Sequence, residues 1–339
     1  MFTRVFITDG AGFVGRHLIS TLRASGTEVR AQVSSETEAA AVRDLGATPI
    51  SCDLDNQEAL KQGMEGCDVV FHLVVKRGDW GPYEDFHRVN VLGTEHVLTA
   101  ARAAGVPKLV YNSTESVLLG GPPIVNVDET RPKPRHPLGA YAKTMGIAED
   151  LVLAANTAEL STVIIRSRLN WGPGDTVLLP QFIAAARSGK LAFINGGRHL
   201  TSTCHVTNLC EGLLLAAEKG QGGEIYFLSD GSPIELKSFA TACMATAGVD
   251  AGNRSIPLWL AKLIAPCAEF VWIVFKPSGK PPLTRATVKQ QGEEITVNDA
   301  KARRELGYVG KVSREEGLAA LRASSTPDSV LASKGGEIV

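Results

Sequence analysis

Gly10, Gly12 and Gly15 follow a short apolar run, Val5, Phe6 and Ile7, and open a helical pattern carried by Leu18, Ile19 and Leu22. Glycine at this spacing lets backbone approach a bulky anion, and a helix beginning there offers unpaired N–H groups and a partial positive charge. Strand, tight turn and helix in that order form the phosphate site for a dinucleotide, so NAD or NADP is the expected cofactor. The choice between them rests on the end of the second strand, where an acid binds the ribose 2′-hydroxyl and a base accommodates a 2′-phosphate. Ser34 and Ser35 stand there and leave the preference open.

The elements that must position this turn alternate regularly. Residues 28–33, 48–51, 68–75 and 108–112 read as strands, and 36–45, 56–64 and 83–104 as helices. The run DVVFHLVV at 68–75 is almost wholly apolar, as in a central strand buried on both faces. The alternation predicts an α/β fold, a Rossmann-type doubly wound parallel sheet with right-handed crossovers and a smaller C-terminal substrate lobe. Residues 120–139, rich in proline and glycine, read as a loop. Helices are expected at 141–156, 179–188, 208–219 and 236–247, strands at 162–166 and 225–228, and a short hairpin region near 192–197. We read 1–165 as the dinucleotide-binding Rossmann domain and 166–322 as a mixed region, mainly substrate lobe with segments returning to the sheet. Residues 323–339 lack a core pattern and are expected to be a disordered tail.

Composition narrows the classes of function. A net charge of −1 over 339 residues, with acids and bases interspersed, gives no electrostatic footprint for nucleic acid. The 6 cysteines lie scattered without metal-ligand spacing, which predicts no metal and a reducing, cytoplasmic setting. No cationic, apolar leader precedes the first strand, so secretion is not expected. The apolar stretch 256–275 is interrupted by Lys262, Pro266 and Glu269. It fits a helix over the substrate lobe, or one in peripheral contact with a membrane, better than a simple span.

Ordered motifs carry a family resemblance. TDGAGFVG at 8–15, CDL at 52–54, VVFHL at 69–73, NVLGTEHVLTAA at 90–101 and VYNSTESV at 110–117 resemble the extended short-chain dehydrogenase/reductase superfamily. AYAKTMGIAEDLVL at 140–153, GPGD at 172–175 and CHVTNLCEGLLLAAE at 204–218 continue the match. KPPLT at 280–284 and AKARRELGYVGKVSREEGL at 300–318 are similar to the 3β-hydroxysteroid dehydrogenase family, near the sterol-4α-carboxylate 3-dehydrogenases. The resemblance implies that Gly10, Gly12, Phe13, Val14 and Gly15 lie against the pyrophosphate, with Ser34 at the ribose end. Asp53 and Leu54 would meet the adenine, and Leu73 would line the groove. Thr114 takes the place of the hydroxyl that holds the substrate oxygen, and Tyr141 that of the proton-transfer tyrosine, which also contacts the cofactor. A small, bulky apolar substrate of sterol type, steroid metabolism and a homodimer through 83–104 and 141–156 follow from the same resemblance.

Three residues depart from the pattern. The lysine of the Tyr-x-x-x-Lys motif falls at Met145, and a thioether can neither bind a ribose as a cation nor lower a phenol's pKa. Lys143, two residues from Tyr141, lies roughly 200° round a helix and does not share its face. Asp9 replaces the first glycine of the turn, where a positive φ is wanted, and adds a carboxylate beside a pyrophosphate. Ser167 follows Arg166 where proline is usual. These departures set an impaired oxidoreductase against two alternatives, a catalytically silent NAD(P)-binding sensor or interaction protein, and a nucleotide-sugar epimerase or dehydratase.

Overall fold

The computed structural model describes residues 2–324. Strands β1 (Arg4–Ile7), β2 (Glu28–Val33), β3 (Thr48–Ser51), β4 (Val69–His72) and β5 (Lys108–Thr114) alternate with helices α1 (Phe13–Ala24), α2 (Glu36–Asp44) and α3 (Gln57–Met64). A longer helix joins α4 (Tyr83–Phe86) to α5 (Gly93–Ala103) through a π-helical turn at His87–Leu92. Next come β6 (Ile124–Val127), α6 (Gly139–Ala154), β7 (Ser161–Ser167), β8 (Asn170–Trp171), α7 (Leu178–Arg187), β9 (Phe193–Ile194), β10 (Leu200–Thr201), β11 (Cys204–His205), α8 (Val206–Lys219) and β12 (Ile225–Phe227). The described chain closes with β13 (Ile234–Glu235), α9 (Leu236–Thr246), β14 (Ser255–Ile256), α10 (Leu258–Phe275), α11 (Arg285–Gly292), β15 (Ile295–Val297) and α12 (Arg314–Ser324).

Seven parallel strands form the main sheet in the order β12-β7-β5-β4-β1-β2-β3. Their apolar residues have no polar face to expose, so helices cover both sides. α1 and α8 pack with Val5, Ile7, Val110 and Ile165 on one side, and α3, α5 and α6 with Phe6, Val70, Leu109 and Ile164 on the other. The chain runs outward from β1 to β3 and then returns to β4 beside β1. Direction therefore reverses between β1 and β4, and the crevice beyond their C-terminal ends is where such sheets bind ligands. The expected α/β doubly wound architecture is the observed one.

Two local expectations are corrected. The stretch 120–139 contains β6, which pairs in parallel with β15. Only Ile124 and Val127 are buried there, too short a signal to show among prolines and glycines. Phe193–Ile194 makes no hairpin but pairs in parallel with Ser255–Ile256, a contact no local pattern encodes. Ala323 and Ser324 of the expected tail end α12, and residues 325–339 lie outside the described residues.

One buried ion pair joins the central elements. Glu149 of α6 accepts 2.8 and 2.6 Å bonds from the Arg166 guanidinium of β7 and a 2.7 Å bond from the Ser113 hydroxyl of β5. Both charged side chains are at most 2 % exposed. Removing one partner strands the other charge in the core. Glu149→Ala is therefore expected to cost about 3–5 kcal/mol of unfolding free energy. Urea denaturation measures this, and the double variant Glu149→Ala with Arg166→Met should recover part of the loss.

Candidate active site

At the end of β1 the chain turns sharply into α1. Asp9 has φ 56°, a left-handed conformation that asparagine, aspartate and glycine tolerate best. Its N–H donates 3.1 Å to Oε1 of Gln32, and the Gly10 N–H donates 3.1 Å to the Gln32 carbonyl. The glycines are required sterically: a Cβ on Gly12 would collide with the Asp9 carboxylate, one on Gly15 with the Asp9 carbonyl, and one on Gly10 with Ala31. No side chain caps α1, whose first residues are Phe13 and Val14. A glycine-lined turn and an uncapped helix start fit a diphosphate. The Asp9 carboxylate, lying across Gly12, opposes one. The groove walls push its carboxyl up to about 6, an effect that Arg77 and Arg16 oppose and Glu38 reinforces. Solvent nevertheless reaches this side chain.

An acid also stands at the end of β2, supplied by the next helix. Ser35 caps α2 by accepting from the Glu38 N–H at 3.3 Å, and the Glu38 carboxylate reaches back to the Ser34 N–H at 2.7 Å. This pair of bonds resembles a capping box, whose Ser-x-x-Glu spacing is present at 35–38. Asp53 is exposed just beyond β3, and Leu54 packs so closely on Gly93 that a Cβ there would strike it. Leu73 is buried, and its N–H donates 2.8 Å to the Thr8 hydroxyl.

β5, α6 and the loop after β4 meet at the far end of the crevice. Thr114, the last residue of β5, donates its hydroxyl to Oε2 of Glu115 at 2.7 Å, and that carboxylate is held by Arg168 at 2.5 Å. Arg168 also donates to Thr201 and to the Gln290 carbonyl, so each of its three guanidinium nitrogens has a partner. Tyr141, half-buried in the first turn of α6, has its phenol pKa raised chiefly by burial, an effect that Arg77 and the nearby Thr114 oppose and Glu115 reinforces. Thr114 and Tyr141 are thus near neighbours at this end of the crevice. Ser167 lies opposite Thr114 in the sheet register, and its buried hydroxyl has no hydrogen-bond partner among the described residues.

Met145 does not line this space. It is 1 % exposed, packed with Ala142, Ala148 and Val97, and its Sδ accepts the Tyr111 hydroxyl at 3.5 Å. Lys143 turns away, its Nζ 4.7 Å from the centre of the Tyr83 ring. His72 bridges the Thr8 and Thr94 hydroxyls at 3.0 Å each, and burial lowers its pKa to about 3. His205 caps α8 through the Thr207 N–H. Trp171 is core, whereas Trp259 stands 68 % exposed on α10. Sequence reasoning passed over Glu38, whose capping-box spacing was visible, and Arg77, Glu115 and Arg168, which no motif marks.

Comparison with known proteins places the site in a family context. Residues 6–258 match the model of the 3-beta hydroxysteroid dehydrogenase/isomerase family. A 4-hydroxy-2-methyl-3-oxo-4-farnesyl-3,4-dihydroquinoline-1-oxide ketoreductase of Stigmatella aurantiaca is 49% identical over 319 residues, 94% of this chain and 96% of the relative. A sterol-4-alpha-carboxylate 3-dehydrogenase, decarboxylating, of Dictyostelium discoideum is 30% identical, over 93% of this chain and 98% of its own length. Among solved structures, a dTDP-glucose 4,6-dehydratase of Streptomyces venezuelae with NAD bound superposes with a TM-score of 0.76 over 97% of this chain and 98% of its own, at 23% identity, a likeness of fold.

The Asp9 geometry has a measurable consequence. Asp9→Gly leaves a residue at ease with positive φ and removes a charge facing the diphosphate. NADH affinity of the variant, measured by fluorescence titration at pH 8, should rise about tenfold, the scale of one charge–charge contact near a surface. In the unsubstituted protein the carboxylate protonates as pH falls through about 6, so affinity should strengthen in that direction. The variant should lack this dependence.

Proposed function

The chain belongs to the 3-beta hydroxysteroid dehydrogenase/isomerase family, and from that premise we propose that it is an NAD(P)-dependent oxidoreductase interconverting a ketone and a secondary alcohol on a bulky apolar substrate. The observation that carries this reading is the approach of Thr114 and Tyr141 at the C-terminal end of β5, beside the crevice that the glycine turn opens. The bound dinucleotide supplies or accepts the hydride. Tyr141 gives its phenolic proton to the carbonyl oxygen in reduction, or takes the hydroxyl proton in oxidation. In the substrate-free protein the Thr114 hydroxyl donates to Glu115, so to hold that oxygen it would turn its single proton from the carboxylate to the substrate.

Relatives that act on a farnesylated quinoline oxide and on a sterol support a large apolar substrate. Glu38 at the end of β2 supports NAD over NADP, because its carboxylate suits a ribose hydroxyl and repels a 2′-phosphate. Met145 supports a slow chemical step, since the resemblance puts the ribose-binding, pKa-lowering lysine at its position and a thioether carries no charge. The same residue, with Asp9, favours a second reading, a cofactor-binding protein without turnover.

One paired experiment separates these readings. NADH and NADPH are titrated into the unsubstituted protein and Met145→Lys, and both are assayed on 3-ketosteroids and isoprenoid ketones. We expect NADH to bind the more tightly, slow turnover in the unsubstituted protein and a rise in Met145→Lys. Tyr141→Phe should lose about 10²–10⁴-fold in kcat with NADH binding kept. Turnover only in Met145→Lys supports the silent reading, and binding of neither cofactor sinks both.

We further propose that α10 rests on a lipid surface, where an apolar substrate would be held. This 18-residue helix is only 22% buried. Trp259, Leu263, Phe270, Ile273 and Phe275 are each at least 60% exposed on it. The protein should float with phosphatidylcholine vesicles on a density gradient. The pair Phe270→Ser and Phe275→Ser should stay at the bottom with unchanged NADH affinity.

A further inference from the structure

We infer that Glu115 sets the hydrogen-bond polarity of Thr114, so that the groove offers the substrate oxygen an acceptor and holds a hydroxyl more tightly than the matching ketone. The inference rests on Thr114 as the residue that meets the substrate oxygen. It adds to that reading which form of the substrate the site prefers, and names Glu115 as the positioning residue responsible.

A threonine hydroxyl has one proton to give and two lone pairs with which to receive. At Thr114 the proton goes to Oε2 of Glu115 at 2.7 Å, and one lone pair receives the Ser116 N–H at 3.2 Å. What remains is a single lone pair. A substrate hydroxyl can donate to it with nothing rearranged. A carbonyl has no proton to donate, so Thr114 holds it only by turning its own proton away from the carboxylate. The Tyr141 phenol donates to a carbonyl or a hydroxyl oxygen alike, and discrimination therefore falls to Thr114.

The way Glu115 is held opposes that turn. Its side chain is buried, and its Oε1 receives Arg168 at 2.5 Å and the Ser116 hydroxyl at 3.3 Å. Thr114 is the donor left for Oε2, and a buried carboxylate oxygen that loses its donor is costly. Bonds to a charged acceptor are also stronger than those between neutral groups. Nor can the carboxylate swing aside with its partner. Arg168 is anchored through Nε to the Thr201 hydroxyl and through Nη2 to the Gln290 carbonyl, both at 2.9 Å. The Gln290 side chain returns from α11 to donate to the Ser116 hydroxyl at 3.2 Å, and the same residue lines a small cavity with Tyr141. Thr114, Glu115, Arg168, Gln290 and Ser116 thus form a closed ring of hydrogen bonds that fixes the direction of the Thr114 proton from the substrate lobe. Glu149, the other buried carboxylate near β5, is engaged by Ser113 and Arg166.

The test measures binding without turnover. A 3β-hydroxysteroid is titrated into the protein holding NADH, and the matching 3-ketosteroid into the protein holding NAD, by calorimetry; neither pair can react. Glu115→Gln keeps an oxygen for Arg168 and gives Thr114 an amide that donates to it, which frees the threonine proton for a carbonyl. The ratio of hydroxyl to ketone affinity should fall about tenfold in this variant, the scale of one hydrogen bond. Thr114→Ala should lower the ratio similarly, and the double variant no further. An unchanged ratio in folded Glu115→Gln overturns the inference even where both steroids turn over, and so does an equal loss of both affinities, which marks a purely structural role. Should Glu115→Gln fail to fold, an unchanged ratio in Thr114→Ala overturns it. The expected shift in a protein that oxidises no alcohol keeps the polarity of Thr114 and removes the oxidoreductase reading. Binding of neither form, steroid or isoprenoid, overturns both.

Discussion

The site depends on one buried carboxylate that ties three elements together. Glu149 takes hydrogen bonds from Ser113 at the end of β5 and Arg166 at the end of β7, and so fixes α6 against the central sheet. The residue after Ser113 is Thr114, and the residue after Arg166 is Ser167. Tyr141 lies eight positions before Glu149, two turns along the same helix face. A slip of α6 by one residue would leave the carboxylate and the guanidinium unmatched, and that costs more than exposing any one apolar side chain of the helix to water. The geometry of Thr114 and Tyr141 is thus set by an ion pair in which neither takes part.

A second clamp positions the loops around the crevice. The helix that crosses from β4 to β5 is not regular: at His87–Leu92 it widens into a π-helical turn. Such a turn re-aims side chains relative to a continuous α-helix and is frequent where function demands it. Here Asn90, buried at 1 % exposure, points to the chain after β4 and to Thr144 at once. Thr94, one turn on, closes the network through His72 to Thr8. The polar chain from Thr8 to Thr144 runs beneath the whole groove, connecting the diphosphate turn to the helix of Tyr141.

What the sequence shows of this arrangement divides by range. The strands of the main sheet and the glycine turn are legible because each is written in local periodicity or spacing, whereas the pairing of Thr114 with Tyr141 is what the family resemblance implies. The parallel pairings of Ile124–Val127 with Ile295–Val297 and of Phe193–Ile194 with Ser255–Ile256 are not, because two- to four-residue strands carry no period of their own. Glu38 is an intermediate case, since its cap spacing is local but its place at the end of β2 appears only when the helix folds back. The Glu115–Arg168 and Glu149–Arg166 pairs are invisible for a different reason. Buried charges look like surface charges in a sequence until the partner is known.

Met145 shows why a missing motif residue is not simply a deletion. It lies four residues from both Tyr141 and Glu149, in the middle of the stripe that faces β5. Its sulfur accepts the hydroxyl of Tyr111 in the core. An ammonium in that place would act on the phenol through protein, where charges are felt strongly. Without an ammonium there, this face of the helix is free to pack as core, as Met145 at 1 % exposure does.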